Sequence, residues 1–287
     1  MNRAELSWGD LVTEAQTCLK HVRNPNAADE ARWLVEEAAG FTAAELVLWR
    51  SETPTVGGVS RFDAMLVRRA AGEPIQYVLG HWPFRSLDLL VDQRALIPRP
   101  ETELLVGYAL DVLESMPGRP TVVDLGTGSG AIGLAIAAEN RASRVWLTDT
   151  DPDALALTRA NLAGLGASGS RATIAKGNWF EALDPAMQGE VNVIVSNPPY
   201  VADDESLPES VSKWEPASAL FSGPRGLEAL ELLLSEARSW LAIGGTILLE
   251  HGFSQRAAVV ELATVAGYTK IKSFRDGNGL DRVLQAT

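Results

Sequence analysis

Cysteine is almost absent from this 287-residue chain: Cys18 stands alone, so no disulfide and no thiolate metal cluster can form within it. Such usage fits a reducing compartment and places the protein in the cytoplasm. Histidine is nearly as scarce, and His21, His81 and His251 lie too far apart for a zinc-ligand spacing. No apolar run approaches the roughly 20 residues that a membrane span needs. Arg3, Glu5 and Asp10 interrupt the start, where a signal peptide would need an apolar core. Positive charge is also in deficit. The formal charge is −12, and residues 1–84 already carry 8 basic against 11 acidic groups. Phosphate clamps draw their affinity from clustered Lys and Arg, so nucleic acid is not an expected partner. What is present, 46% hydrophobic and 22% charged residues, is the balance of a globular chain with material for a large core.

The first third has helical periodicity. Ala31, Leu34, Val35 and Ala38 follow i, i+3, i+4, i+7 spacing, and Gly40 stands where that helix would stop. Thr42-Ala-Ala-Glu45 has the form of a capping box, and Ser60 precedes a further helix over 61–71. Cys18 falls within a helical pattern and reads as packed rather than nucleophilic. Between 80 and 99 the pattern changes to Phe84, Leu87, Leu89, Val91, Leu96 and Ile97 with polar residues between them, which predicts two short paired strands. Pro100 suits the first turn of the next helix, whose stripe is Leu105, Tyr108, Ala109 and Val112.

From Pro120 strands and helices alternate. Strands are predicted at 121–125, 144–148, 172–176, 191–196 and 245–250, with helices at 131–138, 151–165, 226–241 and 255–265. Short apolar strands bounded by helices imply a parallel sheet covered on both faces. Two last strands, 271–274 and 282–285, are separated by too few residues for a helical crossover, so the last should run antiparallel. The chain then divides into a small all-α domain (1–79), a β-hairpin linker (80–99) and an α/β domain (100–287).

Asp124-Leu-Gly126-Thr-Gly128-Ser-Gly130 follows the first of these strands and opens a helix. Glycines there allow a sharp turn and close approach of a ligand to the backbone. Asp149 ends the next strand, where a carboxylate can accept hydrogen bonds from ribose hydroxyls. The pattern also satisfies the dinucleotide form, through Gly128-Ser-Gly130-Ala-Ile-Gly133. Two features favour S-adenosyl-L-methionine instead: Asp124, a carboxylate suited to a cationic methionine moiety and ill suited to a pyrophosphate, and the antiparallel last strand, which resembles the sheet of the class I methyltransferases.

Asn197-Pro198-Pro199-Tyr200 follows the apolar strand 191–196, at the carboxyl end where open α/β sheets bind ligands. Successive prolines remove two N–H donors and fix φ, leaving nearby carbonyls free to point outward. The Asn197 side-chain carbonyl adds a second acceptor. A planar –NH2 group needs such a pair, and Tyr200 can pack on its flat face. The same geometry suits a side-chain amide or the amino group of a base, and the charge of −12 favours an amide on a protein.

These motifs resemble the class I S-adenosylmethionine methyltransferases, Rossmann-like folds with a mostly parallel seven-stranded sheet and an antiparallel last strand. More narrowly, the chain is similar to the release factor N5-glutamine methyltransferases (PrmC/HemK). The likeness runs through Glu73-Pro-Ile-Gln-Tyr-Val-Leu-Gly80, Leu96-Ile-Pro-Arg-Pro-Glu-Thr-Glu103, the glycine loop, Gly177-Asn-Trp-Phe180, Asn197–Tyr200, Trp214-Glu-Pro216 and Glu250-His-Gly252. The run from Ile97 to Glu103 separates this family from its nucleic-acid relatives. The resemblance implies cofactor contacts from Gly126, Thr127, Gly128, Ser129, Gly130, Asp149, Trp179 and Asn197. It implies a substrate grip by Asn197, Pro198, Pro199 and Tyr200, no metal, and a monomer acting on the Gly-Gly-Gln loop of release factors. Asn178 stands where many relatives have Asp, and Arg225 where an acid is more usual.

Overall fold

A computed structural model describes residues 6–22 and 24–287. Arg3 and Glu5 lie outside the described residues. The chain divides into two compact units, the first ending at Gly80 and the second running from His81 to Thr287.

The first unit is helical, as the periodicity predicts. Its helices are α1 (Trp8–His21), α2 (Ala27–Ala39), α3 (Ala43–Trp49), α4 (Val56–Ala70) and α5 (Ile75–Leu79). The Ala31, Leu34, Val35 and Ala38 stripe is fully buried, as are Leu11, Ala15 and Leu19 of α1 and Phe62 of α4, the two helices against which α2 packs. Gly40 ends α2 at φ 71°, a conformation that disfavours any residue with a Cβ. The Thr42–Glu45 capping box is formed in both directions, and Ser7 with Asp10 makes a second one at α1. α4 begins earlier than the Ser60 signal suggests. Thr55 is its cap, its hydroxyl accepting from the Gly58 N–H, and Ser60 falls inside the helix.

Two carboxylates lock this unit. Buried Glu30 accepts a two-pronged contact from Arg69, at 2.5 and 3.2 Å, and a further bond from Asn24. Removing one member of such a buried pair costs about 3–5 kcal/mol, because the other charge is left unpaired. Glu73 accepts both Nε and Nη2 of Arg68, whose guanidinium also reaches the carbonyls of Tyr77 and Val78 at the end of α5. The Glu73–Gly80 run is therefore a structural clasp around a one-turn helix.

The second unit opens with the predicted hairpin, β1 (His81–Phe84) against β2 (Leu87–Leu90), antiparallel across a turn at Arg85. It packs into this unit: Asn161 accepts from the Leu90 N–H and donates to the Leu90 carbonyl and to that of Ser129. An irregular stretch leads to α6 (Thr102–Glu114). Pro100 falls in the turn ahead of that helix rather than in its first turn, because the Thr102 and Glu103 N–H groups still bond back to Arg99 and Pro100.

Alternation follows as expected: β3 (Thr121–Leu125), α7 (Ala131–Glu139), β4 (Arg144–Asp149), α8 (Pro152–Gly164), β5 (Ala172–Lys176) and β6 (Val191–Ser196). After short α9 (Glu209–Ser212) come α10 (Glu228–Trp240), β7 (Leu241–Glu250), α11 (Arg256–Val265), β8 (Ile271–Arg275) and β9 (Asp281–Ala286). The seven strands order as β5-β4-β3-β6-β7-β9-β8. All neighbours are parallel except β9, which runs antiparallel to both β7 and β8. This is the sheet that the resemblance implies. Val123, Ile194, Leu249 and Leu284 point into one core with Leu230, Leu233 and Leu234 of α10. α7 is apolar all round and buried from Ala131 to Ala137, as a helix enclosed by the sheet and its neighbours must be. Among the described residues no helix is long and apolar enough to cross a membrane.

Candidate active site

Strand order reverses beside β3, between β4 on one side and β6 on the other, and open α/β sheets bind ligands at the carboxyl ends flanking such a point. The loops leaving β3, β4, β5 and β6 line one cavity there. One wall holds Gly126, Thr127, Gly128, Ser129, Asp149, Asn178 and Trp179. The opposing wall holds Asn197, Pro198 and Pro199, with Ile97, Pro98 and Thr102 beside them and Pro216, Ser218 and Ala219 from a later loop. Residues spread over more than a hundred positions thus face one space because the strands that carry them are neighbours.

The glycine wall is held by its own backbone. Gly126, Gly128 and Gly130 take φ values of 70°, 57° and 91°, which let the chain turn three times within five residues. Asp149 accepts from the Gly128 N–H at 2.9 Å and from the Asp151 N–H at 3.0 Å. Thr158 donates to the Gly128 carbonyl. Gly130 turns into α7 without lining the cavity, and a Cβ there would press on Leu134 and Thr158. Trp179 holds φ at 48°, a conformation rarely adopted by a residue with a side chain, and its ring lies against Gly126. A side chain at 126 would be strained by the positive φ and would crowd that ring.

Asp124 departs from its expected place. It is fully buried and absent from the cavity lining; its Oδ2 accepts from the Thr127 hydroxyl at 2.6 Å and the Gly133 N–H at 2.9 Å. It braces the glycine loop against α7, and burial raises its carboxyl to about 7. The alternation of β3 explains the placement: Asp124 faces α7 rather than the space beyond the strand end.

On the proline wall, the Asn197 amide nitrogen donates to Thr102 Oγ1 at 3.3 Å, and its Oδ1 is buried with no partner. Buried acceptors are nearly always paired, so an unpaired one on a residue that lines the cavity is a candidate contact for a donor. Tyr200 is not in the lining. It packs against the α10 core, its hydroxyl donates to Glu250 at 3.4 Å, and burial with the nearby carboxylate pushes that hydroxyl well above its ordinary range.

Several functional side chains were not singled out by the sequence reading. Thr102 donates to Glu250 Oε2 at 2.6 Å, and burial holds Glu250 up at about 7. Glu215, 1% exposed at its side chain, accepts from the Ile97 N–H and from Arg99 at 2.5 Å. The Ile97–Glu103 run is therefore a junction: through Glu215 it fixes the loop that carries Pro216 and Ala219, and through Thr102 it meets Asn197. The signal lay in the three short runs that hold these residues, not in any periodicity. Arg225 turns outward onto Glu228 and Glu231 at the start of α10, away from the cavity.

With this geometry in place, comparison with known proteins gives a consistent result. Residues 10–80 match the family model described as PrmC N-terminal domain, and residues 103–213 match that described as Methyltransferase small domain. A "Release factor glutamine methyltransferase" of Burkholderia pseudomallei is 38% identical over 263 residues, covering 90% of this chain and 91% of that protein. One from Bifidobacterium longum is 36% identical over 290 residues, covering 96% and 98%. Among solved structures, the hMettl16 catalytic domain superposes with a TM-score of 0.56 at 16% identity over 80% of each chain. That likeness is one of fold.

Proposed function

The chain belongs to the release factor glutamine methyltransferases, and from that membership we propose that it methylates the N5 side-chain amide nitrogen of glutamine in the Gly-Gly-Gln motif of peptide chain release factors. It is an S-adenosyl-L-methionine-dependent enzyme. The observation that carries the substrate reading is the unpartnered, buried Oδ1 of Asn197 in the cavity wall.

The residues present fit that cofactor. Glycines at positive φ leave bare backbone beside Asp149, whose two oxygens retain lone pairs for ribose hydroxyls after accepting one backbone N–H each. Trp179 offers a flat face, and Asn178 keeps a carbonyl acceptor at the position where many relatives have Asp. When bound, S-adenosyl-L-methionine supplies an electrophilic methyl group. The chain's own contribution is to hold the attacking nitrogen. Asn197 Oδ1 accepts one amide hydrogen and the Pro198 carbonyl the other, so the –NH2 plane is fixed and its nitrogen faces the glycine wall. The same two acceptors stabilise the positive charge that grows on nitrogen as it is alkylated. The N-terminal helical unit recognises the release factor, and the enzyme acts as a cytoplasmic monomer without nucleic acid as substrate.

The test is transfer of labelled methyl from S-adenosyl-L-methionine to an intact release factor and to one whose Gly-Gly-Gln glutamine is replaced by alanine. Label only on the intact protein is the expected result. Equal label on both refutes the substrate assignment, and label only on DNA or RNA assigns the cavity to adenine instead.

A further inference from the structure

The reaction proposed above leaves Thr102 and Glu250 without a task, although both are buried, Thr102 bonding Asn197 and Glu250 bonding Thr102 in turn. Their chemistry restricts the amide. A hydroxyl has one proton to give, and Thr102 gives it to Glu250 Oε2, which can only accept while it is ionised. Towards Asn197, Thr102 is then an acceptor, and only the –NH2 end of the amide can meet it. The carbonyl end is buried and left without a partner. The two ends of an asparagine amide have the same shape, so hydrogen bonding and not packing decides which end points where.

We propose that Thr102 and Glu250 are positioning residues that together set the Asn197 amide so that it presents an acceptor, not a donor, to the substrate nitrogen. This rests on the reading of Asn197 as the substrate's acceptor. A reversed amide would aim hydrogens at a nitrogen that carries two of its own.

The setting depends on a proton. A neutral Glu250 can donate to Thr102, which frees the Thr102 proton for Asn197 Oδ1 and admits the reversed amide. The groups that bear on Glu250 are Thr102 and Glu101 at the start of α6, Tyr200 after β6, and Arg282 of β9, itself paired with Asp276. Burial dominates and Glu101 adds to it, while Thr102, Arg282 and Tyr200 oppose it. Turnover should therefore fall as pH is lowered through neutrality.

The experiment uses the full chain with intact release factor at saturating S-adenosyl-L-methionine, comparing Thr102→Val, Thr102→Ser and Glu250→Gln. Thr102→Val should lower kcat by about tenfold to a hundredfold, the scale of a misplaced reacting group. Its cofactor Kd should stay at the wild-type value, and Thr102→Ser should restore most of the rate. The acid limb of the wild-type kcat profile should vanish in Glu250→Gln. Wild-type kcat in Thr102→Val, a Thr102→Ser as slow as Thr102→Val, or an unchanged acid limb in Glu250→Gln each overturns the proposal. Should Thr102→Val lack a cooperative melting transition, the Glu250→Gln profile decides alone. Asn197→Ala separates the two levels of argument. If it turns over normally, the reading of the site fails; if it is slow while Thr102→Val is normal, only the relay fails.

Discussion

The two walls of the cavity are built on opposite principles. On the glycine wall the cavity-lining groups are held by the protein itself: Asp149 accepts from two backbone N–H groups, Thr158 holds the Gly128 carbonyl, and Asp124 braces the loop from behind through Oδ2, its Oδ1 being buried in the interior without a partner. On the proline wall an acceptor stays open, behind which a chain of side chains runs from Thr102 to Glu250 to Tyr200. A rigid, closed surface suits a ligand that must bind alike in every cycle. An open acceptor suits a group whose charge changes during the reaction, since such a contact strengthens as charge develops. Binding and turnover should therefore be separable by mutation.

Asn197→Ala gives the largest effect. It should lower kcat by about 10²–10³, as loss of one preorganised electrostatic contact does, and cofactor affinity by calorimetry far less. A parallel loss of affinity would break the division between the walls. Next is Gly133→Ala, whose added methyl would strike Leu147 and press on Asp124. Overpacking of this kind costs about 1–3 kcal/mol, to be read as a lower denaturant midpoint and weaker cofactor binding through the displaced brace. Asp149→Ala should weaken cofactor binding by about 1.5–2 kcal/mol, roughly tenfold to thirtyfold, and leave kcat at saturation intact.

The smallest effect is on stability. Asp124 is held neutral more readily in the folded chain than in the unfolded one, with its folded value at about 7. Between the ordinary carboxylate range and about 7 the folded state binds the extra proton, so stability falls as pH rises through that window. The melting temperature should drop by a few degrees from about pH 6 to pH 8, the scale of about 1 kcal/mol in a domain this size. Asp124→Asn should reduce that slope, the remainder coming from Glu250, which burial likewise raises to about 7; a slope unchanged by the substitution would show that Asp124 takes up no extra proton on folding.

Sequence carried the fold well because the fold is periodic. The stripe of α2, the capping box of α3 and the apolar strands flanking the glycine loop are local patterns, and each formed where its spacing places it. The boundary of α4 was less legible, since both Thr55 and Ser60 are competent caps and only tertiary packing chooses between them. The cavity walls were legible for a related reason: a motif that follows a strand end inherits the strand's position. What sequence did not carry is pairing at a distance. Thr102 meets Glu250 across 148 positions and Ile97 meets Glu215 across 118, and no period links such polar residues. Asp124 shows the reverse error, in which the expected function followed from the loop beside it while its side chain belongs to the other face of the strand.

Asn161 grips the hairpin only by main-chain atoms, the N–H and carbonyl of Leu90, while its amide also reaches the glycine loop at Ser129. Such a hold is indifferent to the side chain at position 90, which is half exposed to solvent. The outer face of this ribbon is thus a graftable site at position 90, where a foreign residue or a reporter group can be installed without disturbing the mounting of the loop beneath it, whereas Asp88 is committed to His81 of the neighbouring strand.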